Sequence, residues 1–87
     1  MSFSAATAHI VDANGQSLDA IRNFKVVDAM GHGMPACSFE PSLEFAMADH
    51  AGPQAITIFA GGRLFRVQLT KWGANGLVGY AEGLVVG

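Results

Sequence analysis

Three histidines, one cysteine and seven carboxylates are the side chains of this 87-residue chain that could hold a metal or move a proton. Zinc sites draw on pairs of ligands a few residues apart within one turn or hairpin. His9, His32 and His50 stand 23 and 18 residues apart and Cys37 is alone, so the spacing predicts no metal site. Acyl or phosphoryl chemistry needs a nucleophile beside a base, or two carboxylates whose surroundings push their pKa values apart. Asp12, Asp19 and Asp28 fall in separate turns, Glu40 and Glu44 could share a helix face, and Asp49 adjoins His50. None of these makes an acid–base constellation, and solvated turn and cap positions account for them. Cys37 has no basic neighbour and no second cysteine, which reads as a small buried hydrophobe rather than a nucleophile. The expectation is a non-enzyme without a metal or cofactor.

Binding chemistry is better represented. Arg63, Arg66, Lys71 and Trp72 gather around one strongly alternating segment, and Arg and Trp are residue types that concentrate binding energy at protein interfaces. They are the partner-binding candidates; the competing reading has Trp72 plugging one end of a barrel while the cations solubilise its outside. Gly31-His32-Gly33 could turn backbone N–H groups toward an anion, but the two glycines serve a tight turn more simply, with His32 exposed. Five cations, Arg22, Lys25, Arg63, Arg66 and Lys71, in a chain of net charge −2 are too few for a footprint of about six nucleic-acid phosphates. Nucleic acid is therefore not an expected partner.

The rest of the composition points outward too. Charged residues are 14% of the chain and apolar ones 51%, against about 25% charged in an ordinary soluble domain. A domain of this length buries only about 60% of the surface of its unfolded chain, so much of the exterior is neutral or apolar, and self-association or a protein partner is expected to cover part of it. No Lys or Arg precedes Arg22, so the basic start of a signal peptide is missing, and no apolar run nears the roughly 18–20 residues of a membrane span. These features predict a cytoplasmic protein with no membrane partner.

Glycine and Asn-Gly punctuation cuts the sequence into short extended runs. Ala8–Asp12 reads as a strand closed by Asn14-Gly15, a dipeptide suited to a two-residue hairpin turn. Gln16–Ile21 is either the returning strand or a helical turn capped by Ser17, and the extended reading is preferred. Phe24–Ala29 and Met34–Phe39 are further strands; in the latter, Pro35 pushes Met34 out of the helical region. Pro41–His50 is the one helix candidate, with Leu43, Ala46 and Met47 near one stripe. Gln54–Ala60 presents Ile56 and Ile58 on one face and Thr57 and Phe59 on the other, and Gly61-Gly62 turns the chain. Arg63–Lys71 alternates most clearly, with Phe65, Val67 and Leu69 inward. Trp72 ends that run, residues 73–76 make a turn, Leu77–Glu82 is the last long strand, and Gly83–Gly87 is a short apolar tail.

Two stretches together resemble a known family. Val26-Val27-Asp28-Ala29-Met30-Gly31-His32-Gly33 and the later run from Arg66 through Trp72 and Gly76 to Tyr80 are similar to the PilZ domain, a six-stranded barrel of about this size that acts in bacteria as a receptor for cyclic di-GMP. Asp28 and Gly33 match two positions of the family's second motif, while Met30 stands where that motif has serine. The family grips the dinucleotide with two arginines four positions apart ahead of the barrel, because guanidinium planes stack on guanine and fork onto phosphate. This chain has no cation among its first 21 residues. The resemblance therefore implies a degenerate ligand site at Asp28 and Gly33 that does not bind cyclic di-GMP and a domain that works by protein contacts.

Six or seven short strands with turns at intervals of roughly 8–12 residues predict a mainly β fold: one domain over residues 1–87, a small antiparallel barrel or sandwich with at most one short helix. Closure, or a dimer, would hide strand edges that so little charge leaves unprotected. The function expected is a non-catalytic interaction module. The alternatives are a small β-rich structural subunit, such as one of phage origin, that self-assembles, and a working cyclic di-GMP receptor.

Overall fold

The computed structural model describes residues 2–28, 33–48 and 54–87. Six strands and one helical turn follow in chain order: β1 (Ser2–Val11), β2 (Ser17–Val27), β3 (Ala36–Glu40), α1 (Leu43–Met47), β4 (Gln54–Ala60), β5 (Arg63–Asn75) and β6 (Val78–Val85). They form a closed antiparallel barrel in the order β1-β2-β3-β6-β5-β4, which puts the strand number among the described residues at six and makes the architecture a barrel, not a sandwich. The closing pairs are few: His9 with Phe59, Ile10 with Ile58 and Val11 with Thr57. The alternation that predicted the strands also fills the interior. Phe24, Ile10, Ile21, Ile58, Leu69 and Val67 are essentially inaccessible, and among the described residues no polar or charged residue is buried with them.

Several boundaries differ from the sequence expectation, each for a physical reason. β1 starts at Ser2, not Ala8, because Phe3 reaches back over the core, with ring centroids 5.0 Å from Phe65 and 6.1 Å from Phe24. The first hairpin is wider than two residues. Gly15 N–H donates to the Asp12 carbonyl, the Asp12 carboxylate accepts from the N–H groups of Asn14 and Gln16, and Gly15 but not Asn14 takes a positive φ. This is the three-residue loop in which a turn is followed by a left-handed glycine. The expected separate strands at Gln16–Ile21 and Phe24–Ala29 are one strand, β2, whose pairing with β3 shifts between Arg22 and Lys25, where Asn23 sits at φ 53°. Asparagine tolerates that conformation better than most residues, and its amide is held by the Glu40 carboxylate at 2.7 Å.

The expected helix over Pro41–His50 shrinks to five residues capped by Ser42, whose hydroxyl accepts from the Phe45 N–H. Its inward residues are Ala46 and Phe45, while Met47, assigned to the buried stripe, is 76% exposed. β5 does not end at Trp72 but runs to Asn75, so the turn is Gly76-Leu77, and the expected tail is structured: β6 runs to Val85, and Val86 N–H donates to the Arg66 carbonyl. Met30, Gly31, His32, the Asp49-His50 pair and Gly52-Pro53 lie outside the described residues.

Candidate functional site

The two ends of the barrel are closed differently, and the difference starts from where the sequence leaves out a side chain. At one end α1 lies against β5 and β6. Gly79 permits this approach: a Cβ there would stand 2.7 Å from the Pro41 carbonyl oxygen and 3.0 Å from the Ala46 Cβ. The Ser42 N–H donates to the Asp19 carboxylate and ties the cap to β2. Trp72 and Phe45 pack against the core. Trp72 faces inward because the β5–β6 register shifts between Leu69 and Lys71, a bulge that inserts one residue and reverses the alternation beyond it.

The opposite end carries a cleft without a described helix over it. Phe3, Val26, Phe65 and Val85 line a cleft of about 350 Å³, with Asp28 and Arg63 also on its walls. The Arg63 guanidinium lies over two of these rings, 4.8 Å from the Phe65 centroid and 5.5 Å from that of Phe3, a cation–π arrangement that holds a charged group on an apolar floor. The structure thus brings together one member of each candidate set, Asp28 and Arg63. Gly33, the other motif position, is exposed at φ 72° ahead of β3 and is not part of the cleft wall.

The four partner-binding candidates do not form one patch. Arg63 and Trp72 are nine residues apart on β5, about 30 Å of strand contour, and stand at opposite ends of the barrel. Arg66 projects outward from the middle, opposite Thr57. Lys71 faces Glu82 across the β5–β6 ladder and lies 5.8 Å from the centroid of the Tyr80 ring. Sequence proximity suggested a cluster because alternation alone does not reveal the bulge or the length of the strand.

What the sequence did not reveal is the arrangement of the outer face. Following the cross-strand partners, one row runs Ser2, Val27, Ala36, Leu84, Gln68, Ala55, one residue from each of the six strands, and carries no charge. Val27 is 59% exposed and Leu84 37%. The neighbouring row, Ser4, Lys25, Ser38, Glu82, Lys71, holds both signs. Another row of Ala20, His9, Phe59 and Leu64 adds two large exposed apolar side chains, and His9 Nδ1 shares a hydrogen bond with the Ser17 hydroxyl at 2.9 Å.

The titratable groups are dispersed. Cys37 is in the core on β3, where burial pushes its thiol up to about 11, partly offset by a hydrogen bond to the Gly83 backbone. Such a thiol stays protonated at neutral pH and is a poor nucleophile. Arg22 and Glu40 approach to 3.6 Å on the surface, a pair that contributes little to stability at that exposure. Among the described residues no three His, Cys, Asp or Glu side chains converge as metal ligands, and no described helix is long and apolar enough to cross a membrane. Compared with known proteins, the chain matches no protein-family model, no curated protein and no solved structure.

Proposed function

We propose that this barrel is a non-catalytic interaction module that acts through protein contacts on its outer surface. The observation that carries the reading is the uncharged row winding round all six strands, with exposed Phe59 and Leu64 two outward pairs further along β4 and β5, beyond Thr57 and Arg66. Water solvates the exposed Val27, Leu84, Phe59 and Leu64 side chains poorly, and exposed apolar surface is what protein contacts cover. The PilZ resemblance fits this reading in its degenerate form. The six-stranded barrel is of the architecture that the resemblance implies, and Asp28 and Gly33 both lie between β2 and β3. Met30 stands where the family's motif has serine, and Gly33 is not on the cleft wall with Asp28. Cyclic di-GMP is accordingly not a ligand in this proposal.

The test has two arms. Gel filtration of the tagged chain from its native cells, with light scattering, reads whether the 9.1 kDa barrel travels alone; elution as a larger species is expected, and elution as a free barrel at all concentrations overturns the module. Titration calorimetry with cyclic di-GMP is expected to show no heat, and micromolar binding would replace the module with a second-messenger receptor.

A further inference from the structure

β1 is longer than the strand that closes the barrel on it. β4 covers only His9–Val11 and then turns back at Gly61-Gly62, so Ser2–Thr7 is paired to β2 on one side and, among the described residues, has no backbone partner on the other. Protein edges are normally guarded by charge, proline or a bulge facing outward. Ser2-Phe3-Ser4-Ala5-Ala6-Thr7 holds no charge and no proline. The open cleft lies directly beside this edge, with Ser2 and Phe3 on its wall.

We propose that this segment pairs antiparallel with the same segment of a second copy of the chain, joining two barrels through a shared sheet; the inference rests on the interaction-module reading and names its partner. The edge is self-complementary about Ser4. With Ser4 opposite the second copy's Ser4, Phe3 falls opposite the second copy's Ala5, so a large side chain meets a small one twice on the inner face. Ser2 then meets the second copy's Ala6 on the outer face, and no like charges are juxtaposed. The available area is sufficient. A standard interface takes about 600–1,000 Å² per partner. The 5454 Å² of the chain over 87 residues is about 63 Å² each. The six edge residues, with exposed Phe59 and Leu64 and the Gly61–Arg63 turn beside them, make eleven residues, which offer at most about 690 Å². The mode is strand addition, in which main-chain hydrogen bonds supply affinity and an adjacent pocket receives alternate side chains.

The experiment uses the full chain. Sedimentation equilibrium of the purified protein is expected to give a dimer at micromolar concentration. Ser4→Lys, at an exposed position and checked for an unchanged circular dichroism spectrum, should weaken it at least tenfold, because the new charge faces its own copy and Lys25 does not offset it. Ser4→Glu, checked in the same way, should weaken it less, because Lys25 across the β1–β2 ladder partly neutralises the new charge. Mixing the two variants should restore a dimer, which a general gain in solubility would not do. Amide exchange at residues 2–6 should slow with rising protein concentration and provides a readout without any substitution. A wild-type monomer at about 1 mM, with those amides unprotected, overturns the proposal. If the chain nevertheless travels in a large native complex, the module reading survives and a different protein covers the surface. A dimer indifferent to both variants, or not restored by mixing them, also overturns it.

Discussion

Gly83 is where the barrel wall has no room for a methyl group. It pairs with Leu69 on β5 and Cys37 on β3, and its φ is not positive, so alanine fits the backbone and any effect of Gly83→Ala is steric. The added Cβ would stand 2.6 Å from the Gln68 carbonyl oxygen and 2.7 Å from Val67 Cγ1. Both obstacles are held: Gln68 belongs to the β5 ladder and Val67 is inaccessible to solvent. Relief requires the β5 and β6 strands to separate by several tenths of an ångström. Overpacking of this kind costs roughly 1–3 kcal/mol, and the reduced freedom of the unfolded chain returns about 0.4–1 kcal/mol. The expected net loss is about 1–2 kcal/mol, against roughly 4–13 kcal/mol of total stability for this length. Urea unfolding followed by the fluorescence of the single tryptophan should show a lower midpoint at unchanged slope, and thermal unfolding should shift by roughly 4–16 °C. Gly87→Ala is the control, since its Cβ would meet only Arg66 at 3.5 Å or more, and it should be near neutral. A Gly83→Ala protein more stable than wild type would refute the close-approach reasoning, since even the smallest overpacking cost of about 1 kcal/mol matches the largest unfolded-state gain.

Trp72→Ala tests the plug against the hot spot. Packing against the core predicts a loss of about 2 kcal/mol in chemical denaturation, below the 3–5 kcal/mol of a fully buried aromatic; unchanged stability with a lost native complex would assign Trp72 to partner binding instead. Cys37, held near 11 in the fold against an ordinary 9.0, should resist a thiol reagent such as a disulfide dye at pH 8 until the protein is denatured. Because the folded thiol keeps its proton while the unfolded one loses it near pH 9, its contribution to stability is constant below about pH 8. It falls between about pH 9 and 11, by up to about 2 kcal/mol. Cys37→Ala should remove that part of the pH slope, and an identical slope in the variant would count against it.

The sequence by itself determined the class of this protein and most of its strands. Period-two alternation placed Phe65, Val67 and Leu69 inward on β5, and Ile56 and Ile58 inward on β4, because the pleat puts alternate side chains on opposite faces whatever the topology. Gly61-Gly62 was legible as a turn because few other residues accept two successive positive φ values, and both adopt them. Tertiary structure decided what depends on contacts distant in sequence. The six residues before Ala8 joined β1 because Phe3 found Phe24 and Phe65 across the barrel; their local pattern of serine, alanine and threonine was too weak to mark a strand. The bulge at Leu69/Lys71 turned Trp72 inward and separated it from Arg63, while closure brought Arg63 to the same cleft as Asp28, 35 positions away. The uncharged outer row exists only through register between strands, which is fixed by which faces are buried and by the turns that join them, not by any property of a single segment.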